Sequence, residues 1–504
     1  MVPLLTSKQI HEADAYTITH EPIADIDLME RAAYAFVNRF ITQYQDMEAV
    51  ISIYSGTGNN GADGLAIARI LCQMGYSKVN VKIAKFSDKE SDNFRINFQR
   101  LSVLKITVLQ LNPDFENPKE DGNLIIDALL GSGLNKPIEG AYKQLVGFLN
   151  GLTKTVIAVD VPTGFFCEGA LPVGAEAIKA SLVITFQQPK INFLLPESAP
   201  FMNNWVCVDI GIDKTFLKDL NVTYYLIEEA DIVTMLKPRS RFSNKGTYGH
   251  ALMIAGEPET MGAALLSANA CCSAGAGLTT ACIPNTGLVA LNSRMPEVMA
   301  VIRTKNEDPN INWEAHNAIG IGPGIGKDAD SLRLLKNTLA NFKKPLVVDA
   351  DALNLLAENK ELWALLPVNS IITPHMKEFD RLFGTHNSWW QRIQTGIKMA
   401  GSHKITILLK NDYTIIINPS GKVFFNSTGN PAMATGGMGD VLTGIITSFL
   451  AQGYQPEDAA VLSAYIHGKA GDSLADDGWY VTLPTSVIEQ VPKTIKWLIT
   501  KKRP

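Results

Sequence analysis

Cysteine is scarce and unpatterned: the six in 504 residues are Cys72, Cys167, Cys207, Cys271, Cys272 and Cys282, with no CxxC and no Cys/His spacing. That excludes a zinc framework and a disulfide scaffold, and it suits free thiols in a reducing compartment. Charge is thin as well. Asp, Glu, Lys and Arg make up 19% of the chain and the net charge is −5, so no basic surface argues for nucleic acid or an anionic membrane. No apolar run reaches the ~18 to 20 residues of a spanning helix. The N-terminus MVPLLTSKQIHEADAY lacks the basic stretch and apolar core of a secretory leader. A cytoplasmic protein is expected, with neither nucleic acid nor membrane as partner. Nor does a fixed-period repeat run through the chain.

What is abundant is apolar residue (46%) and glycine (39 residues), the profile of a soluble α/β enzyme with two or three domains. Short β-rich runs at Ala49–Tyr54, Val79–Ala84, Asn123–Ala128, Thr155–Val161, Ser181–Phe186 and Trp205–Ile210 alternate with helical stretches. That alternation predicts a Rossmann-like, three-layer α/β domain over 1–215 with a parallel sheet. The pattern loosens over 216–234, read as a linker, and resumes in a second α/β domain over 235–504.

The segment Asn430–Gly444, NPAMATGGMGDVLTG, opens an apolar helix with a Gly-Gly-x-Gly-Asp run. Unobstructed N–H groups at Gly436, Gly437 and Gly439 would cradle a phosphate while Asp440 meets a reacting hydroxyl. By itself the run fits a bland loop equally well. Around it stand GPGIG (Gly322–Gly326), VVDADALN with Asp349 and Asp351, and TPHMKEF with His375 and Glu378.

In the first half, SGTGNNGADG (Ser55–Gly64) follows a strand as a loop ahead of a helix from Leu65. Gly56, Gly58 and Gly61 fit the dinucleotide spacing, but Asn59, Asn60 and Asp63 crowd it with polar groups. Asp127 and Asp160 each end a strand before a glycine turn, so Asn60, Asp127 and Asp160 should converge at one crevice. A single strand-end Asp caps a turn as readily as it does chemistry. Oxygens of Asn60, Asp127 and Thr163 would suit a hard cation.

The loop GTGNNGADG with IIDALLGSGL and AVDVPTG, in that order, resembles the NAD(P)H-hydrate epimerase domain over roughly 1–215. The resemblance implies potassium on Asn60, Asp127 and Thr163. It places the hydrated dinucleotide on Asn59, Asn60, Gly61, Ala62 and Asp63 and on Gly131, Ser132, Gly133, Leu134, Asn135, Lys136 and Pro137, with Asp160 as acid/base. Ala62 stands where glycine is common, which puts a methyl near backbone expected to approach phosphate.

From 235 to 495, the series GPGIG, DADALN, TPHxxEF, LLK and GNPxMATGGMGDVLTG resembles the ribokinase-like superfamily, and within it the ADP-dependent NAD(P)H-hydrate dehydratases. That implies substrate contacts from Ala263, Gly324, His375 and Asp440, and nucleotide contacts from Lys410, Asn411, Asp412, Tyr413, Thr414 and Gly439. Asp440 is then the base, ADP the phosphoryl donor, and Glu378 a carboxylate of the magnesium shell. Together the halves imply a repair enzyme that epimerises R and S hydrates of NADH and NADPH and dehydrates the S form, with homo-oligomers the default. A ribokinase-type small-molecule kinase fused to a nucleotide-binding domain is the alternative. A third reading makes the first half a binding module without turnover.

Overall fold

Strand Ile51–Ser55 is buried at every position, and such runs form only where helices cover both faces of a sheet. A computed structural model describes residues 1–502 and divides them into two compact units. One comprises Pro3–Val222 with Ser388–Trp390; the other comprises Met1–Val2, Thr223–Asn387 and the chain from Gln391 onward.

The first unit carries a seven-stranded parallel sheet in the order Thr107–Leu111, Val79–Ala84, Ile51–Ser55, Leu124–Ala128, Thr155–Val159, Leu182–Phe186, Trp205–Val208. The chain starts at Ile51–Ser55, builds outward on one side, then returns to build on the other from Leu124–Ala128. The gap beyond the carboxyl ends of those two strands is the topological switch point where α/β sheets hold ligands. Strand Thr107–Leu111 escapes the sequence pattern because four of its five residues are exposed at the sheet edge.

Two expectations are corrected here. Asn59–Gly64 is no loop but the opening of helix Asn59–Gln73, and Gly61 makes that possible: a Cβ there would lie 1.9 Å from the Gly56 carbonyl oxygen. Residues 216–234, read as a linker, are structured. Helix Lys214–Asp219 is followed by strand Tyr224–Ile227 and helix Glu229–Met235. The strand pairs in parallel with Val423–Asn426, which makes it part of the second sheet.

In the second unit, strands Met299–Arg303, Leu278–Pro284, His250–Ile254, Ala318–Ile321, Leu346–Val348, Ile371–Ile372 and Thr406–Leu409 pair in parallel in that order. Ile415–Ile417 and Val423–Asn426 extend the sheet antiparallel. Helix Met438–Ala451 is buried along nearly its whole length, because it lies in the core against Ala264, Ala268 and Cys271 of helix Met261–Ser273. No helix among the described residues is long and apolar enough to cross a membrane.

Candidate active sites

At the switch point of the first unit lies a cavity of about 560 Å³. Of the residues expected to hold substrate, Asn59, Asn60, Asp63, Gly131, Ser132, Gly133, Leu134 and Asp160 line it, while Gly61, Ala62, Asn135, Lys136 and Pro137 do not. Ala62 is fully buried and packs into the apolar core with Leu65 and Ala66. Its methyl therefore points away from the cavity, contrary to the expected crowding of the ligand.

Asp160 sits just past strand Thr155–Val159 in a left-handed conformation, φ 61°. An aspartate tolerates that region better than most residues, and such strain persists only where surrounding contacts impose it. Here they do. The Asp160 N–H donates to the Ile184 carbonyl at 2.9 Å, and Oδ1 accepts from Thr185 Oγ1 and the Phe186 N–H, both at 3.0 Å. Lys190 Nζ lies 2.8 Å from the same oxygen and is only 2% exposed. Burial works against the lysine's charge, yet Asp160 beside it holds its pKa above the ordinary value. The three side-chain contacts all fall on Oδ1, which leaves Oδ2 without a described partner on a residue that lines the cavity.

Three further carboxyls, Asp14, Asp25 and Asp63, line this space, and none of them forms a salt bridge with a described residue. Burial, then Asp160, Asp14 and Asp25, pushes Asp63 well above the carboxylate range; burial and Asp160 push Asp14 up to about 6. Beneath the cavity, Asp127 is wholly buried. Its oxygens accept from the Thr163 N–H at 2.8 Å, the Thr163 hydroxyl at 2.7 Å and the Leu129 N–H at 3.3 Å. Burial still carries its pKa to about 6 against those bonds. The Asn60 side chain packs on Gly131, and its buried Nδ2 has no protein partner.

The second unit assembles a comparable set. Gly437 takes φ 97° to start helix Met438–Ala451, a conformation that favours glycine. The turn delivers Gly439 and Asp440 to the carboxyl end of the sheet. Asp349, ending strand Leu346–Val348, accepts from Lys410 Nζ at 2.8 Å and from Thr443 Oγ1 at 2.7 Å. Thr443 lies one helical turn beyond Asp440 and so shares its face. Asp440 itself has no lysine of its own. Burial and the charge of Asp349 raise it to about 7, with Lys410 pulling the other way.

Gly324 and Ala263 meet as expected: Thr260 Oγ1 donates to the Gly324 carbonyl at 2.6 Å, and the Ala263 methyl packs on Gly324. His375 begins helix Met376–Phe383, with Nδ1 accepting from the Lys377 and Glu378 N–H groups at 3.0 and 3.3 Å. Burial, then Lys410, lowers its pKa, so it is neutral. The Glu378 carboxylate caps the same helix through the His375 N–H at 2.9 Å. Lys410 stands directly beside His375 in a parallel bridge. Asn411–Thr414 turn the chain between strands Thr406–Leu409 and Ile415–Ile417, and the buried Nδ2 of Asn411 has no partner.

A family model described as NAD(P)H-hydrate dehydratase matches residues 251–493, and one described as YjeF-related protein N-terminus matches residues 25–192. A bifunctional NAD(P)H-hydrate repair enzyme of Moorella thermoacetica is 33% identical over 491 residues, covering 94% of this chain and 92% of its own. The chain belongs to the bifunctional NAD(P)H-hydrate repair enzyme family. A Coxiella burnetii member is 31% identical, covering 95% of this chain and 96% of its own. Among solved structures, SMU.573 of Streptococcus mutans is 29% identical, covering 54% of this chain and 99% of its own, with a TM-score of 0.50. An ADP/ATP-dependent NAD(P)H-hydrate dehydratase of Bacillus subtilis, co-crystallised with ATP/Mg2+, is 27% identical, covering 54% of this chain and 98% of its own, with a TM-score of 0.48.

Sequence reasoning did not find several groups at this repair enzyme's sites. Lys190 lies 30 residues beyond Asp160, in extended conformation just before the helical turn Ile191–Leu194, with no signal but a Gln-Pro-Lys run. Asp14 lies on helix Ser7–His20, where it and Glu12 read as the two acids of a surface helix. His467 on helix Pro456–Asp476 has an unpartnered buried Nε2, and burial, then Lys410, lowers its pKa to about 4. Only the packing of that helix beside Lys410 gives the histidine meaning.

Proposed function

We propose that residues 1–215 interconvert the R and S hydrates of NADH and NADPH, and that residues 235–504 dehydrate the S form at the expense of ADP, giving AMP and phosphate. One observation carries the second half: Asp440, at the start of a helix rich in glycine, is tuned to about 7 while the neighbouring lysine is occupied by Asp349. Such a carboxylate is ionised often enough near neutrality to accept a proton and basic enough to be useful as a general base.

Asp440 takes the proton of the C6 hydroxyl as that oxygen attacks the donor phosphorus. The N–H groups at Gly439 and the helix start receive charge that builds on the transferred group. Departure of phosphate from C6, in place of hydroxide, with loss of a C5 proton to water, then forms the C5=C6 bond and restores the dihydropyridine. Ala263, Gly324 and His375 would hold the nicotinamide half, and Lys410, Asn411, Asp412, Tyr413 and Thr414 the adenine nucleotide. The unpartnered Asn411 amide suits a ligand acceptor. Magnesium would arrive on the nucleotide phosphates and keep most of its waters. That fits a site with no cluster of three or more metal-ligating side chains among the described residues. Glu378 is committed to its helix cap, so the magnesium role read for it finds no support.

In the first half, Asp160 contacts the hydrate near C6. The donors at Asp127 and Thr163 are all oxygen and are buried, and an Asn60 amide with an unpartnered nitrogen gains by turning its oxygen toward a cation. The set fits potassium, which would fix the loop after Ala128 against that after Asp160. The deciding assay follows recovery of dihydronicotinamide absorbance from mixed hydrates with ADP and ATP side by side, with magnesium. Recovery with neither nucleotide sinks the proposal, and a stable phosphomonoester of an alcohol would put a small-molecule kinase in its place.

A further inference from the structure

The first cavity holds more acid than its proposed chemistry has used. Asp14, Asp25, Asp63 and Asp160 all line it, and Lys190 is the one lysine among its lining residues. Its contact with Asp160 Oδ1 commits that lysine. Asp25 accepts from Asn93 Nδ2 at 2.6 Å. Asp63, on the second turn of helix Asn59–Gln73, makes no hydrogen bond to any described residue. It enters the cavity from the element following strand Ile51–Ser55, whereas Asp160 enters from the end of Thr155–Val159; strand Leu124–Ala128 lies between the two. A flat ring placed over that middle strand end would have one carboxyl on each side.

Resting on the epimerase reading, we propose that Asp63 is a second catalytic residue of this site, the general acid that protonates the C6 hydroxyl as it leaves, with Asp160 the base on the opposite face. The C6–O bond breaks as the Asp63 proton moves onto the departing oxygen, which leaves as water, and the N1 lone pair forms the C6=N1 bond of an iminium. A water adds to C6 from the other face, forms the new C6–O bond and gives its proton to Asp160. Asp63 ends ionised and Asp160 protonated, and exchange with cavity water resets both. In the reverse direction the roles exchange, as microscopic reversibility requires.

The environments of the two carboxyls agree with this division. Asp160 Oδ1 faces Lys190 and two neutral donors, whereas no cation stands among the groups that bear on Asp63. Burial first, and then Asp160, Asp14 and Asp25, all acidic, push the Asp63 carboxyl well above the ordinary carboxylate range. Asp14 faces the nearby His11 and Lys190 as well as Asp160, and at about 6 it has lost its proton by pH 7.

The test uses the full chain, following consumption of the R hydrate with ADP and magnesium, with the S hydrate as internal reference. Asp63→Asn keeps the shape but carries no acidic proton. It should lower kcat for the R hydrate by about 10² to 10⁴ with KM near wild type, since it removes a group acting only in the transition state. It should also abolish the alkaline fall in the wild-type pH profile. Asp63→Glu, which restores an acid, should recover part of the rate, and in H2¹⁸O with ADP left out the wild type should place solvent oxygen at C6 of the recovered hydrate. The assignment of Asp63 is overturned if the Asn variant keeps the wild-type rate, if its loss lies wholly in KM, if Glu does no better than Asn, or if the original oxygen stays on C6. A wild type that consumes the R hydrate no faster than the spontaneous rate overturns the epimerase reading and this proposal together.

Discussion

The two candidate sites use the same parts in opposite ways. In each unit a strand-end aspartate is paired at 2.8 Å with a lysine, Asp160 with the buried Lys190 and Asp349 with the half-buried Lys410. In each, a second carboxyl near the start of a helix, Asp63 or Asp440, is left without a lysine. The difference lies in which aspartate faces ligand and how deeply the unpaired one is set. Asp160 turns its free oxygen to the cavity, while both oxygens of Asp349 are taken by Lys410 and Thr443. Burial and three acidic neighbours push Asp63 well above the carboxylate range; Asp440, raised to about 7, can give or take a proton. A lysine placed on the neighbouring aspartate is a means of tuning the carboxyl it leaves alone.

The comparison breaks most sharply at Asp440. Asp440→Asn should lower dehydration of the S hydrate by about 10² to 10⁴ in kcat while R/S interconversion, followed by NMR or chromatography, continues. In the wild type, kcat/KM for the S hydrate should fall as pH drops below about 7, because Asp440 takes up a proton and ceases to be a base. A pH profile flat down to 5.5 would separate Asp440 from that role.

Next in size is Lys190→Met. Removing one member of a buried pair leaves Asp160 unpaired, which costs on the order of 3 to 5 kcal/mol. R-hydrate consumption should therefore be lost at lower denaturant than in the wild type, with S-hydrate dehydration unaffected. Equal midpoints would mean that the pair does not anchor the first site.

Lys82 and Glu120 provide a reference pair that belongs to neither site. They lie 2.7 Å apart with Ser52 and Tyr54 also bonded to the carboxylate. Burial raises the Glu120 pKa, but the bonds from Lys82, Ser52 and Tyr54 overcome it and hold the group below the carboxylate range. Its contribution is thus present above the ordinary carboxylate pKa and is lost as pH falls through the lower, folded one. Glu120→Gln should destabilise the first unit by about 1 to 3 kcal/mol near neutrality, since Lys82 retains Ser52 and Asn80. The deficit, read by denaturant titration, should shrink toward pH 3 without altering turnover at either site. The smallest effect belongs to Ala62→Gly. It should cost about 1 kcal/mol as a helix-interior substitution and leave the KM for the R hydrate unchanged, because the methyl sits in the core.

Strand ends and helix starts were legible because their signals are local. Asp127, Asp160 and Asp349 each close a β-branched run, and Gly436–Asp440 announces a helix start in five consecutive residues. What escaped depends on distant partners. Strand Tyr224–Ile227 reads as a linker because its pairing partner, Val423–Asn426, lies about two hundred residues away. The opening turn of helix Asn59–Gln73 reads as a loop because glycine and asparagine disfavour helix intrinsically; tertiary packing of Gly61 against Gly56 overrides that preference.

The sequence by itself determined the family, the two α/β domains and the aspartates at their strand ends, since motif spacing and hydrophobic periodicity are properties of contiguous residues. Only the tertiary structure decided which aspartate receives a lysine, that Ala62 faces the core, and that Asp14 and Asp25 join Asp63 and Asp160 in one cavity. Charge states depend on burial and on neighbours brought in from far along the chain, and neither is written in any one segment.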